Sequence, residues 1–338
     1  MQNATTARTV PIDFVRAAVA MARRRGFDVD QLLRSVGVAP ELLAQDRSRI
    51  TVEQVTKVVR EMWRVTDDEL FGLGARPVPR GSLRLACFGL LNCPDLGAAM
   101  ARFAEYQRLL PGLPPMSVLP GDEVARFTMD PETLDDPEHL LTDFILAAAH
   151  RFTGWAIGRR IRLHQVELPY PRPENVADYD LLFGAPAVFD AEVAALVFDS
   201  DILSAPIVRT EESLIAWDRN APADLLARRD YGTSLADQVR AILARGLGGT
   251  WPTSDEVAKR LAMSQQTVRR KLGEEGTSIT QLREDILRDA AVASLVRGGE
   301  TVEELSERLG YSEPSAFRRA FRRWTGSPPG SYGRDDVG

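Results

Sequence analysis

Apolar residues recur every three to four positions through most of residues 11–110, which is the spacing of amphipathic helices. The clearest case follows Thr51, a residue type that commonly caps helices. Its apolar positions are Val52, Val55, Val58, Val59 and Met62. The same spacing predicts further helices in residues 11–25, 82–93 and 96–110.

The pattern then changes to alternation of apolar and polar residues. Residues 117–121 and 123–130 predict two antiparallel strands around a tight turn. A helix in residues 136–159 precedes two further strand-like segments, residues 161–170 and 193–199. The predicted fold class is therefore α+β and mostly helical, with a small sheet.

Residues 206–232 show weak periodicity and many charges, which predicts a partly helical linker. We therefore expect an α+β domain in residues 1–205 and an all-α domain in residues 233–333.

The carboxy-terminal domain contains a degenerate repeat, whose copies are residues 254–278 and 302–332. Each copy reads as a short helix, a tight turn and a second helix, which is the plan of a helix-turn-helix. The matching pairs are Leu261 with Leu309, Val268 with Phe317, Arg270 with Arg319, Leu272 with Phe321, and Gly276 with Gly326. The helix-turn-helix units are placed at residues 254–276 and 302–326, and residues 279–298 predict a connecting helix.

The second helix of each copy has an apolar face and a polar or basic face. In the first copy, Ser264 is the expected cap, and Val268 and Leu272 are spaced to turn inward. In the second copy, Phe317 and Phe321 take the inward positions. The opposite faces carry glutamine and arginine, which read adenine and guanine edges in the major groove. The expected DNA-binding residues are Gln266, Arg269, Arg270, Lys271, Ser315, Arg318, Arg319, Arg322 and Arg323.

An arginine run alone is also typical of a solvated face on an ordinary packing helix. Two copies that both carry a cap, a turn and outward polar side chains favour DNA binding. We expect Arg322 and Arg323, one turn further along the second helix, to contact phosphates.

Charge limits the kind of DNA binding that the chain can support. The 338 residues carry a net charge of −6. Residues 231–338 hold 16 Lys and Arg against 15 Asp and Glu, and residues 1–230 hold the other 26 against 33. Because non-specific affinity grows with the number of neutralised phosphates, this balance argues against a sequence-indifferent DNA organiser.

Other protein classes lack their signatures in this sequence. No apolar run reaches the ~18–20 residues of a membrane helix. The first residues show no basic segment followed by an apolar one, so we expect a cytoplasmic protein without a secretory signal. His139, His150 and His164 are scattered, and two cysteines cannot complete a zinc site, so neither a metal nor another cofactor is expected.

The repeat resembles the carboxy-terminal domain of the AraC/XylS-type transcription regulators, in which a long helix joins two helix-turn-helix units. The resemblance covers roughly residues 231–333. Its first part rests on Ser264, Val268, Arg270, Leu272 and Glu275 to Thr277. Its second part rests on the unbroken stretch from Gly310 to Phe321 and on Thr325 to Pro328.

The amino-terminal part more loosely resembles the helical, arabinose-binding-type sensor domain of one branch of that family. The matching residues are Gly89 to Ala99, with Phe103, Tyr106 and Leu109. The resemblance implies a sequence-specific regulator, usually an activator, with a small-molecule effector, RNA polymerase and a second copy of the chain as partners. It also implies that the two recognition helices enter successive major grooves about 34 Å apart.

An alternative is an alkyl-transfer repair enzyme, since some such proteins carry this DNA-binding domain. That chemistry needs an activated cysteine beside a histidine. Cys87 is followed by Phe-Gly and Cys93 by Pro-Asp, so we do not expect an enzyme. A thiol sensor is a further alternative for these cysteines, although a cysteine in an apolar stretch usually behaves as a small hydrophobic residue.

We expect the effector pocket to be lined by residues 82–110 and 119–168. The aromatic candidates are Phe103, Tyr106, Phe144 and Trp155, for each of which a plain core role is an equal alternative. The abundance of arginine favours an anionic effector such as an organic acid.

Overall fold

The computed structural model describes residues 9–173, 183–220, 235–248 and 251–333. The chain forms two compact units. The first, which we call the repeat unit, comprises residues 1–12, 33–54 and 230–338. The second, which we call the sheet unit, comprises residues 13–32 and 55–229. The functional domain limits expected at 1–205 and 233–333 stay a prediction, and part of the expected linker lies outside the described residues.

The described residues form helices and short strands in the following order. The α-helices are α1 (Asp13–Arg24), α2 (Val29–Val36), α3 (Val52–Thr66), α4 (Ser82–Leu91), α5 (Leu96–Leu109), α6 (Leu140–Ala156), α7 (Glu211–Asn220), α8 (Leu235–Ala244), α9 (Ser254–Arg260), α10 (Gln265–Glu274), α11 (Ile279–Arg297), α12 (Val302–Arg308) and α13 (Pro314–Thr325). The strands are β1 (Thr9–Pro11), β2 (Arg49–Thr51), β3 (Met116–Leu119), β4 (Val124–Met129), β5 (Leu163–Glu167), β6 (Ala187–Val188) and β7 (Ala194–Asp199). The predicted α+β, mostly helical class is confirmed.

The sheet unit is built on five strands in the order β3-β4-β7-β5-β6. All neighbours pair antiparallel except β5 and β6, which are parallel. The predicted β3–β4 pair is confirmed, with Val118 opposite Phe127. Apolar side chains of the sheet pack against α5 and α6 through Leu96 and Leu146, which are both buried. This packing places the core of the unit between the sheet and the two helices.

Helix α6 is shorter than the predicted span of 136–159. Its start is fixed by Asp136, whose carboxylate accepts hydrogen bonds from the backbone N–H groups of Leu141 and Thr142 at 3.1 and 2.8 Å. His139 takes a left-handed φ of 57° just before the helix. Gly158, with φ of 70°, ends it. The predicted span is too long because apolar residues with helical spacing also occur in the turns on either side of the helix.

The repeat unit is organised around α11. Helix α8 packs along it, and so do the two strands of a short ribbon in which Thr9 pairs with Thr51. Thr9 Oγ1 donates to the buried carboxylate of Asp289 on α11 at 2.5 Å. The hydroxyl of Tyr332 accepts from the backbone N–H of Arg49 at 3.1 Å. Residues near the amino terminus thus belong to the same compact unit as the repeat.

Candidate nucleic-acid interface

The first helix-turn-helix begins with a capping box on α9. Thr253 Oγ1 accepts from the backbone N–H of Glu256 at 3.2 Å, and the Glu256 carboxylate accepts from the backbone N–H of Thr253 at 2.7 Å. Val257 and Ala258 are buried on the inner face of this helix. These reciprocal bonds satisfy donors at the helix start that have no partner within the helix.

Helix α10 follows a turn in which Ala262 has a φ of 52°. The predicted cap is present, because Ser264 Oγ accepts from the backbone N–H of Thr267 at 3.1 Å. Val268 and Leu272 are the two buried residues of the helix. Gln266, Arg269 and Arg270 are exposed on the other side, and Lys271 is half-buried between the two faces.

The second helix-turn-helix repeats this plan with aromatic residues in its core. Thr301 and Glu304 form the capping box of α12. Phe317 and Phe321 are fully buried, and their ring centroids lie 5.8 Å apart. Tyr332 meets Phe321 edge-on, with centroids 5.2 Å apart. The structure exposes all five candidates of α13: Ser315, Arg318, Arg319, Arg322 and Arg323.

Three of the exposed arginines form ion pairs within the repeat unit. Arg270 pairs with Glu274 on the same helix. Arg318 pairs with Glu303 at 2.5 Å, and Arg323 pairs with Glu284 at 2.8 Å. Exposed ion pairs contribute only about 0–1 kcal/mol, so a bidentate base contact of ~1–3 kcal/mol can displace such partners.

The other three arginines, Arg269, Arg319 and Arg322, form no ion pair with any residue that the structure describes. Each recognition helix therefore offers exposed guanidinium groups next to small polar side chains. Such a surface can donate paired hydrogen bonds to guanine and single bonds to phosphate.

The four aromatic candidates for effector binding lie in three places in the sheet unit. Phe103 and Tyr106 are half-buried and pack together against Leu90, Cys93 and Ala99. Trp155 is buried against Trp217, with ring centroids 5.4 Å apart, and Phe144 meets Phe71 edge-on. The structure does not bring the four together around one space.

A small cavity of about 10 Å³ lies beside the sheet of this unit. It has room for about one water molecule. Its lining comes from the predicted elements together with β7, but it includes none of the four aromatic candidates. The lining residues are Leu96, Met100, Phe127, Ala149, His150, Thr153, Ile161, Leu163, Leu196 and Phe198. The four-residue spacing of Leu96 with Met100, and of Ala149 with Thr153, is the sequence signal that places these side chains on one helix face.

Neither cysteine is in the environment of a reactive thiol. Burial first, and then the nearby carboxylates of Asp218 and Glu69, raise the pKa of the Cys87 thiol to about 12. Cys93 is 6% exposed and lies in the small apolar cluster with Leu90 and Ala99. Because alkyl transfer needs a thiolate, these environments do not support the repair-enzyme alternative.

Two of the three histidines bond to oxygen atoms, and His139 stacks on Tyr170 with ring centroids 3.7 Å apart. His150 Nε2 lies 2.8 Å from the carbonyl oxygen of Ile161, and His164 Nε2 lies 2.7 Å from the carboxylate of Asp199. Within the described ranges no group of three or more potential ligands could hold a metal ion. The same ranges contain no helix that is long and apolar enough to cross a membrane.

Comparison with known proteins gives a consistent result for both parts of the chain. Residues 26–207 match the family described as the arabinose-binding domain of AraC transcription regulator, and residues 257–335 match a helix-turn-helix domain family. The chain is 24% identical over 330 residues to the ornithine utilization regulator of Pseudomonas aeruginosa, covering 97% of each protein. It is 27% identical over 348 residues to an uncharacterized HTH-type transcriptional regulator of Mycobacterium tuberculosis, covering 96% of each.

A third relative matches about a fifth of the chain at higher identity. The HTH-type transcriptional regulator VqsM of Pseudomonas aeruginosa is 42% identical over 76 residues, which is 22% of this chain and 23% of that protein. Since the amino-terminal family covers more than half of the chain, the family assignment is secure. The chain belongs to the AraC family of DNA-binding transcription regulators and combines an arabinose-binding-type domain with a helix-turn-helix domain.

Proposed function

We propose that this regulator reads a specific operator with both recognition helices and that a small molecule bound in the sheet unit controls it. The observation that carries the proposal is the pair of exposed arginine-bearing faces on α10 and α13, each opposite a buried apolar pair. Gln266 lies beside the arginines of α10, and Ser315 lies beside those of α13. The proposed regulator catalyses no reaction, and it acts on chromosomal DNA and therefore in the cytoplasm.

The residues divide into two groups by their position on each helix. Those near the helix start, where a recognition helix enters the groove, are assigned to base edges. They are Gln266, Arg269, Arg270, Ser315, Arg318 and Arg319. Lys271, Arg322 and Arg323 lie further along and are assigned to phosphates, which position the protein without reading sequence.

An operator for the test is first selected from random duplexes with the full chain. Arg269→Ala or Arg270→Ala is expected to weaken operator binding roughly 5- to 150-fold, because a bidentate base contact discriminates by ~1–3 kcal/mol. Binding to unrelated DNA is expected to change much less. Arg323→Ala serves as the matched phosphate variant and is expected to weaken both complexes alike, with a salt slope lower by about 1. An equal loss on both DNAs for Arg270→Ala would show that Arg270 does not read a base.

The cavity beside the sheet is the proposed effector site. Its walls are apolar except for His150 and Thr153, so the best-fitting ligand has an apolar body and a small polar end. An organic acid meets that description and agrees with the preference for an anionic effector. The name of one relative refers to ornithine, so amino acids belong in the screen. Because the cavity has room for only about one water molecule, effector binding must enlarge it by moving α5 or α6 away from the sheet.

A thermal-shift screen of the full chain tests this site. A ligand at about 100-fold over its dissociation constant stabilises the folded state by ~2.7 kcal/mol. Ala149→Leu fills the cavity and is expected to abolish the shift, whereas Ala148→Leu, one position along the same helix and outside the lining, is expected to keep it. If both variants respond as the wild type does, the effector binds elsewhere.

Activation of transcription, contact with RNA polymerase and formation of a homodimer are proposed on the family resemblance. A promoter–reporter strain with and without the gene would show the sign of regulation. Sedimentation of the full chain at micromolar concentration would show whether it is a dimer.

A further inference from the structure

The two helix-turn-helix units share one feature of their first helices that lies outside the recognition helices. Each first helix carries an acidic residue at its second position, Asp255 on α9 and Glu303 on α12. In both units this carboxylate contacts a side chain of the recognition helix that follows. The partners, however, differ between the units.

In the first unit the carboxylate has a cation on its own helix. Lys259 Nζ lies 2.7 Å from the Asp255 carboxylate, one turn away, and Gln265 Nε2 donates to it at 3.3 Å. These hydrogen bonds, that of Lys259 first, hold the pKa of Asp255 below its usual value. Arg269 on the recognition helix is left without an ion pair to any described residue.

In the second unit the corresponding cation is missing. The position of Lys259 is taken by Glu307, which cannot neutralise Glu303. Glu303 instead accepts a hydrogen bond from Arg318 Nη2 at 2.5 Å, across 15 residues of sequence. Arg318 is the counterpart of Arg269, because each directly follows the matched pair Val268 and Phe317. Both side chains of the pair are about half exposed, at 52% and 58%.

We propose that Glu303 is a specificity-determining residue that holds Arg318 away from DNA until the correct site displaces it. This inference rests on the proposed operator binding. On unrelated DNA the Glu303–Arg318 pair stays closed. Arg318 is then not available to phosphates, and the Glu303 carboxylate beside it is repelled by them. At the operator, base contacts of the second helix compensate for opening the pair.

The test measures binding of the full chain to operator and to random DNA by fluorescence anisotropy at several salt concentrations. Glu303→Gln is expected to raise affinity for random DNA about three- to fivefold, the range set by exchanging one exposed ion pair. Its salt slope on random DNA should steepen by about 1, because one more cation meets a phosphate. Operator affinity should change less, so that the specificity ratio falls.

Glu307→Gln is the matched control, since it removes the same charge from an exposed position of the same helix that has no ion pair among the described residues. It should leave the specificity ratio within experimental error. Glu307→Lys is a second way to release Arg318 from Glu303, because the new lysine would pair with Glu303 as Lys259 pairs with Asp255. It is expected to lower the specificity ratio while Glu303 stays in place.

A double-mutant cycle with Arg318→Ala isolates the pair. In that background neither Glu303→Gln nor Glu307→Lys should still lower the specificity ratio. The proposal is overturned if Glu303→Gln behaves like Glu307→Gln, or if its effect persists without Arg318. Failure of operator recognition itself would look different, because the wild type would then prefer no sequence in the selection.

Discussion

The attachment of the amino-terminal ribbon to the repeat unit can be tested by removing one hydroxyl. Thr9 Oγ1 donates to Asp289 at 2.5 Å and accepts from Arg49 Nε at 2.8 Å. Thr9 and Asp289 are 7% and 8% exposed, so water cannot easily replace the lost partner. Thr9→Val keeps the shape and the strand preference of the side chain and removes both bonds.

The expected cost follows from the charge of Asp289. A hydrogen bond to a charged group contributes about 1.5–3 kcal/mol, and a buried acceptor without its donor adds a desolvation penalty. Arg288 Nε, at 3.3 Å from the same carboxylate, retains part of the stabilisation. We therefore expect Thr9→Val to lower the free energy of unfolding by about 2 kcal/mol, which corresponds to roughly 4–8 °C in Tm for a unit of this size.

Calorimetry of the full chain measures this loss in the transition of the repeat unit. Thr280→Val is the matched control, because Thr280 is exposed on α11, the helix that carries Asp289. Its expected effect is within ±0.5 kcal/mol. Equal Tm values for the two variants would refute the assignment of the ribbon to this unit.

Three further predictions concern a histidine, a thiol and a pair of turn residues. Burial lowers the pKa of His139 from its ordinary 6.5. Below that pH the unfolded state therefore binds more protons than the folded state, and the protein loses stability as the pH falls. The variant His139→Asn, whose side chain tolerates the positive φ, should lose less unfolding free energy than the wild type between pH 7.5 and 5 in urea titrations. Because its pKa is about 12, the Cys87 thiol should resist alkylation by iodoacetamide at pH 8 in the folded protein and react after denaturation. Mass spectrometry would measure the alkylated fraction. Rapid alkylation of Cys87 in the folded protein would contradict its burial. Ala262 and Gly310 occupy the same left-handed turn position of the two units. In thermal unfolding, Ala262→Gly should stabilise the folded protein by about 0.5–1 kcal/mol, and Gly310→Ala should destabilise it by about 1–2 kcal/mol. Effects of the same sign would be inconsistent with this geometry.

The long helices could be predicted because each buries one continuous stripe. In α3, Val55, Val58 and Val59 are fully buried, as their spacing indicates. The β1–β2 ribbon could not be predicted, since three-residue strands carry too little alternation and Thr9 pairs with a residue 42 positions away. Its stability depends on contacts with α11 that no local pattern encodes.

The same distinction applies to the interface. The outward position of Arg269 and Arg270 follows from the inward pair Val268 and Leu272, because the helical repeat fixes one face once the other is known. The Glu303–Arg318 pair depends on how two helices pack, which the spacing within either helix does not specify. Residue type alone does not identify a pocket lining: Trp155, one of the aromatic candidates for effector binding, packs against Trp217 in the structure instead of lining the cavity.

Methylation interference on the selected operator tests the central claim that both recognition helices of one chain read DNA. The account predicts two blocks of guanines at which N7 methylation in the major groove prevents binding, centred about 10–10.5 base pairs apart on one face of the duplex. Arg270→Ala should weaken the block of the first unit, and Arg319→Ala the block of the second. A single block, or two blocks on opposite faces of the duplex, would contradict it.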